Sequence, residues 1–186
     1  MAGVSGACLA AATIKAGALG SIAAGHLVSD TSLKSLEDEI TEYRKLCSDP
    51  SSPLTIGFIG HSTFGSDVGW SLFDKILSKH RPEIVQFFAP AVLTQNGLTN
   101  IQVAHNHGAK VVCQVGTEAD GIEALRSGAD CIVAQGTEAG GHGCRLDVGS
   151  GTLSLAARIV ALVRSTEGKE HIPGRSQSQG IVYFLV

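Results

Sequence analysis

The stretch from Lys110 to Gln135 restricts the fold more than any other part of the chain. It opens on KVVCQV (110–115) and closes on CIVAQ (131–135), two short runs that are apolar at nearly every position. A strand with one face in water alternates polar and apolar residues. A strand that is apolar throughout has both faces covered, which is the environment of a parallel sheet under helices. The residues between the two runs supply the crossover: Thr117 stands as an N-cap with Asp120 three positions on, a helical pattern runs to Ser127, and Gly128 ends it.

The same rhythm repeats along the chain. GACLAAATIKAG (6–17) predicts an Ala-rich helix stopped by Gly17, and ALGSIAA (18–24) a short buried strand. Ser35 opens SLED, a capping-box pattern with Asp38, ahead of Leu36, Ile40, Tyr43 and Cys47 at helical spacing. LTIGFIG (54–60) follows Pro53 as a strand. Val68 to His80 predicts a helix with Trp70, Phe73, Ile76 and Leu77 on one face, and EIVQFF (83–88) is the next strand. A loop containing Gly, Pro and Asn then leads to a short helix at 98–107. The fold class is α/β, and a β/α barrel or a doubly wound sheet are the two architectures it allows.

Composition narrows the function classes. Hydrophobic residues make up 44% of the chain and charged residues 17%, against ~25% in an average soluble domain, so the composition is that of a globular core. The formal charge is -3 with no basic block, which gives neither nucleic acid nor an anionic membrane a surface to recognise. No apolar run reaches the ~18 residues of a membrane span, and the Ala/Gly-rich N-terminal stretch has no basic region ahead of it. Five cysteines, odd in number and set mostly in apolar runs, read as reduced buried thiols. A soluble, cytoplasmic protein is expected.

In either architecture functional groups gather at the carboxyl ends of strands, so the loops to read are MAGVSG (1–6), GFIGHST (57–63) and QGTEAGGHG (135–143). In the last, Gly136, Gly140, Gly141 and Gly143 surround Glu138 and His142. Such crowding fits a backbone lying against a flat or phosphorylated ligand, or else a flexible loop. Gln114 ends its strand facing any barrel mouth and bonds either a ligand or the next strand. Glu138 reads as an acid or base, or as a turn-stabilising carboxylate. His61 lines a pocket or sits on a surface loop. His26, His80, His105, His107 and His171 take solvated or capping roles, and Asp147 is a loop charge. HNH (105–107) lacks the spacing of a helical zinc pair, so no metal is expected, and Cys144, without a visible base, reads as an inert thiol.

VVCQVGTEADGIEALRSGADCIVAQGTEAGGHG (111–143) resembles the flavin-dependent nitronate monooxygenases, formerly called 2-nitropropane dioxygenases, and MAGVSG and ALGSIAAG (18–25) are similar to that family's first and second strand regions. The resemblance covers residues 1–172 and implies a TIM-type barrel, noncovalent FMN, and oxidation of alkyl nitronates by O2 to a carbonyl compound and nitrite. It implies flavin contacts at Met1, Ala2 and Gly3 and at Gln135 and Gly140; Gln114, Gly136 and Gly141 stand beside these as candidate contacts from their places at the strand end and in the glycine cluster. The resemblance makes His142 the base beside the flavin ring, able to take the α-proton of a nitroalkane. The family's asparagine after strand 3 has no counterpart in IGFIGHST, which leaves Gly57 or Gly60 for that contact.

Two departures shape the expected architecture. Met1 falls inside the first motif, and GRSQSQGIVYFLV follows residues 171–173 where a glycine-rich phosphate loop and two more strands belong. The reading is therefore a partial β/α barrel over 1–172 with a divergent tail at 173–186, and weak FMN binding because the phosphate loops are missing. IVYFLV (181–186) is expected as a makeshift further strand or a loosely lying, aggregation-prone segment. An FMN-dependent NAD(P)H oxidoreductase acting on quinones or enoyl thioesters, and a catalytically inactive fragment, are the alternatives.

Overall fold

The computed structural model describes residues 4–140, 148–167 and 182–185. Helix α1 (Ala7–Lys15) leads into β1 (Ile22–Gly25), and α2 (Asp30–Leu46) into β2 (Thr55–Ile59). A short turn of helix, α3 (Gly60–Thr63), precedes α4 (Asp67–His80) and β3 (Ile84–Phe88). The small hairpin β4 (Thr94–Gln95) and β5 (Leu98–Thr99) turns at Asn96–Gly97, both with positive φ, and hands over to α5 (Asn100–Asn106). Strand β6 (Lys110–Val115), α6 (Glu118–Arg126), β7 (Cys131–Ala134), a 3-10 turn (Thr137–Ala139), α7 (Thr152–Glu167) and β8 (Val182–Leu185) complete the order.

The main sheet runs β1-β2-β3-β6-β7-β8 with every pair parallel. The order follows the chain without reversing, whereas a doubly wound sheet reverses at its switch point. That choice selects the barrel-type winding. Among the described residues β1 and β8 are the two edges and do not pair with each other, so the barrel is open. The expected makeshift strand is β8, seated parallel on β7.

One face of the sheet carries the core. Ile56, Phe58, Val85, Phe87, Val111, Cys113 and Ile132 alternate along four strands and are at most 1% exposed. They meet Phe73, Ile76 and Leu77 of α4, Ile101 of α5, and Leu155, Ile159 and Val163 of α7. Phe58, Phe64, Phe73 and Phe87 pack largely edge to face, with ring centroids 5.0–6.2 Å apart, the arrangement the ring quadrupole favours.

Most helices fall where the sequence puts them. Ser66 caps α4, and Thr117 caps α6 with its hydroxyl accepting the Asp120 N–H, while Gly128 takes the positive φ that ends that helix. Helix α2 is the exception. It starts at Asp30, not at Ser35, because Ser29 and Ser32 form a reciprocal cap first, and Leu33 then extends the buried stripe of Leu36, Ile40 and Tyr43 backwards. It ends at Leu46, with Cys47 beyond it. Helix α7 has no counterpart in the reading of the sequence, although Leu155, Ile159 and Val163 recur every fourth residue.

Three histidines serve the amino edge of the sheet. His80 faces Glu37 at 3.5 Å, His105 meets Asp130 at 2.8 Å and His107 meets Asp74 at 2.8 Å. Burial acts to raise the Asp130 carboxyl, but hydrogen bonds from His105, the Val111 N–H and Lys110 outweigh it and hold the group below its usual value.

At the opposite edge the loop after β3 is fixed by one buried residue. Asn100 is 0% exposed; its side-chain amide donates to Ala91 O at 2.9 Å, and its oxygen accepts the Leu93 N–H at 2.9 Å. Asn100→Leu keeps the volume and strands both backbone groups. The expected loss is ~2–4 kcal/mol, one to two unsatisfied buried groups, read from urea unfolding. Amide exchange should quicken at 91–93 before it does in the sheet; unchanged stability would show that water satisfies the loop.

Candidate active site at the carboxyl edge of the sheet

The face of the sheet turned away from the helices carries the candidate site. Strand register places Ala23, Gly57, Gln86 and Val112 in one row, and Ile59, Phe88 and Gln114 in the next row toward the carboxyl end. The side of this face nearest β1 and β2 is small or aliphatic. The other side carries amides. The Gln86 Nε2 donates to Gln114 Oε1 at 2.9 Å, and the Gln114 Nε2 donates to Gln135 Oε1 at 2.7 Å. Gln135 lies just past β7, and its own N–H prolongs the ladder to Val115 O at 2.9 Å.

Gln114, expected at the mouth with two open roles, thus bonds its neighbours on both sides while remaining part of the open face. Gln86 escaped the reading of the sequence. Its signal was present: one polar residue in the middle of EIVQFF, two residues from Phe88 and so on the same face, contradicts a strand covered equally on both sides.

Beyond Gln135 the chain is stapled to the start of α7. The Gly136 N–H donates to Thr152 Oγ1 at 3.1 Å, the Thr137 N–H to Ser150 O at 3.1 Å, and the Thr152 N–H to Glu138 Oε1 at 2.6 Å. A Cβ on Gly136 would run into the Thr152 backbone nitrogen, so packing against α7 accounts for that glycine. Gly140 differs. It has φ +82°, and a Cβ there would meet nothing within 4 Å among the described residues.

Glu138 is settled by the same staple. Hydrogen bonds from its own N–H and then from the Thr152 N–H hold its carboxyl below the usual value, and an anion suits a helix N-terminus. It is the turn-stabilising carboxylate, not a base poised near neutrality. Met1, Ala2, Gly3, Gly141, His142, Gly143, Cys144, Asp147 and His171 lie outside the described residues.

Among the described residues two histidines follow strands at this edge, His26 after β1 and His61 after β2, both exposed. The His61 ring holds Ala89 O at 2.9 Å through Nδ1, and since a carbonyl only accepts, the proton sits on Nδ1. Gly60 is pressed against the Pro90 carbonyl, so its small size serves the loop contact, while Gly57 lies mid-strand beside Ser21. A separate groove of about 320 Å³ runs between the first turn of α6 and α7, lined by Thr117, Glu118, Asp120, Ser150 and Arg158; no member of the glutamine row lines it.

The cysteines divide. Cys113 and Cys131 are buried, and burial pushes the Cys131 thiol up to about 11, with Asp130 adding to it. Burial raises Cys113 further. Neither is a nucleophile. Cys8, expected in a buried run, is exposed, because it lies on the outer side of α1 while Ala7, Ala10 and Ala11 face inward. Among the described residues no group of three side chains is arranged to hold a metal, and no helix is long and apolar enough to cross a membrane.

A singly wound parallel sheet with its polar groups at the carboxyl edge has the architecture of the β/α-barrel class. No family model matches the chain. It is 33% identical over 168 residues to a nitronate monooxygenase from Neurospora crassa, a match covering 81% of this chain and 44% of that protein. The chain thus spans less than half the length of that relative. Among solved structures it is similar to a nitroalkane oxidase from Streptomyces ansochromogenes, at TM-score 0.66, 22% identity, and coverage of 87% of this chain and 54% of the other. It is also similar to FabK from Thermotoga maritima, at TM-score 0.65, 22% identity, and coverage of 98% and 48%. By this sequence match the chain is a homologue of nitronate monooxygenase over the part they share, and the two solved structures show that it has their fold.

The Glu138 staple has a direct readout. Followed by NMR against pH, the Thr152 amide shift should titrate with a midpoint below 4.5, the ordinary carboxyl value. The staple is therefore intact at neutral pH and is lost only as pH falls through that lowered midpoint. Glu138→Gln should abolish the titration. A midpoint near 7 would restore Glu138 as a candidate base.

Proposed function

We propose that the chain oxidises alkyl nitronates with O2 to carbonyl compounds and nitrite, using noncovalently bound FMN. The observation that carries this reading is the amide row Gln86–Gln114–Gln135, ending beside the loop that leads to His142. The donor set suits the group. The pyrimidine edge of an isoalloxazine alternates carbonyl and ring nitrogen, and amide side chains offer both a donor and an acceptor. Ala23, Gly57, Ile59 and Phe88 provide a small, apolar surface on the same face for a flat ring. Gln114 and Gln135 would hold the ring, with backbone at Gly136, Gly140, Gly141 and the Met1–Gly3 segment closing round it. We take residues 1–172 as the flavin-binding unit and 173–186 as a tail to it.

FMN, when bound, supplies the electron transfer between nitronate and oxygen. The chain's own contribution is position and proton transfer. His142 is the base we assign: an imidazole titrates near neutrality and can take the α-proton of a nitroalkane, a step that an already ionised nitronate does not need. The small-molecule substrate enters over the open carboxyl edge.

The purified chain should quench the fluorescence of added FMN, and the complex, mixed anaerobically with an alkyl nitronate, should bleach in the visible region. Readmitted air should then yield nitrite. Bleaching by NAD(P)H but not by nitronate would overturn the reading in favour of a reductase of the same fold. His142→Ala should slow turnover of nitroalkanes by ~100- to 10,000-fold, the contribution of a positioned base, and spare nitronates. Equal loss on both substrates would deny His142 the role of base.

A further inference from the structure

His61 is held more firmly than a surface position requires. It donates twice to one acceptor, through its backbone N–H at 3.2 Å and through Nδ1–H at 2.9 Å, and both bonds end on Ala89 O. That carbonyl is itself fixed. Ala89 has φ +49°, the Pro90 carbonyl beyond it is pressed against Gly60, and the buried Asn100 ties residues 91 and 93. A positive φ on alanine persists only where the surroundings hold it, and such conformations gather at ligand-binding loops. The residue is exposed all the same, and among the described residues its Nε2 has no hydrogen-bond partner. With Nδ1–H committed to Ala89, Nε2 is the one place where the ring gains or loses a proton. His61 stands two residues past Ile59, and its acceptor one residue past Phe88, so the ring is at the carboxyl end of the row Ile59–Phe88.

Positive charge is scarce at this edge. The described loops that follow strands there, 26–29, 60–66, 89–99, 116–117, 135–140 and 148–151, contain no Lys or Arg. His26 and His61 are their only side chains able to become cationic, and of the two only His61 is held by its ring. His142, assigned as the base, must be neutral to take a proton. We infer that His61, protonated on Nε2, holds the anionic oxygens of the nitronate and so sets a preference for nitronate over the neutral nitroalkane. The inference rests on the proposed reaction for its substrate. No bond to carbon or nitrogen changes in this step: the ring takes its proton from solvent, and Nε2–H donates to oxygen. The backbone at Leu27, Thr63 and Gly69 converges beside it, which brings His26, Asp30 and Asp67 as the neighbouring titratable groups; Asp67 accepts from the Gln95 Nε2 at 2.6 Å.

The test uses His61→Asn in the full chain. An asparagine amide nitrogen stands where Nδ1 was and can keep the bond to Ala89, while nothing replaces Nε2 or its charge. In the FMN-loaded chain the variant should raise the KM for an alkyl nitronate ~10- to 150-fold, the worth of a hydrogen bond to a charged group. It should leave kcat on nitronate, and the KM for the neutral nitroalkane, near wild type. The wild-type KM for nitronate should climb with pH as the ring loses its proton, and this climb should flatten in His61→Asn but not in His26→Ala. A second readout needs no turnover. In the flavin-free chain the ring nitrogens of His61 should report the Nδ1–H form by 15N NMR, and an added alkyl nitronate should move the Nε2 signal.

A variant that melts lower and raises the KM of both substrates alike would make His61 a tether for the Ala89 loop and overturn the inference. So would an unchanged KM for nitronate, or an Nε2 signal that nitronate leaves in place. If nitronate moves the Nε2 signal but the loaded chain releases no nitrite, the proposed reaction falls while the anion site stands.

Discussion

Parallel strands have no turn to join them, so this sheet stands on what covers it. The covering contact is aromatic. Phe73 of α4 lies against Phe58 and Phe87 on neighbouring strands, and Phe64, from the turn after α3, closes the group from the carboxyl side. Each ring is at most 5% exposed. The cluster ties β2 and β3 to α4, and Phe64 in it is also the residue whose carbonyl accepts the Trp70 indole N–H at 3.2 Å. The short segment that carries His61 is therefore held from below by packing and from the side by Ala89, so the edge of the sheet takes its shape from the core beneath it.

The architecture was legible because its causes are local and periodic. Runs such as KVVCQV and CIVAQ are too apolar for a half-exposed strand, and Thr117 and Gly128 mark the ends of the helix between them without any tertiary information. What was not legible had one local cause and one distant one. The start of α2 was misplaced because two serines ahead of the expected capping box form an earlier cap. The start of α7 depends on contacts with Thr137 and Glu138, and such contacts leave no pattern in the sequence.

The site shows the same division. Glycines in QGTEAGGHG look alike in sequence, yet Gly136 is small because α7 presses on it, while Gly140 meets no described residue and has a backbone conformation that side chains rarely adopt. Only three-dimensional neighbours separate packing from ligand approach. Gln135 is found by a family resemblance and Gln114 by its place at the end of a strand; Gln86 is found by asking which side chain stands beside them on the next strand. The residue was visible in EIVQFF, but its meaning required the register between β3 and β6.

The sequential strand order also sets a timetable for assembly. Each parallel pairing must wait until the chain between its strands has looped back, and the cost of closing that loop grows with its length. The shortest loop joins β6 to β7 through α6; the longest joins β7 to β8. The β6–α6–β7 unit is thus the natural nucleus, and it brings Gln114 and Gln135 side by side at the outset. The last pairing to close is the one that covers the β7 edge, so a folding chain exposes that edge longest.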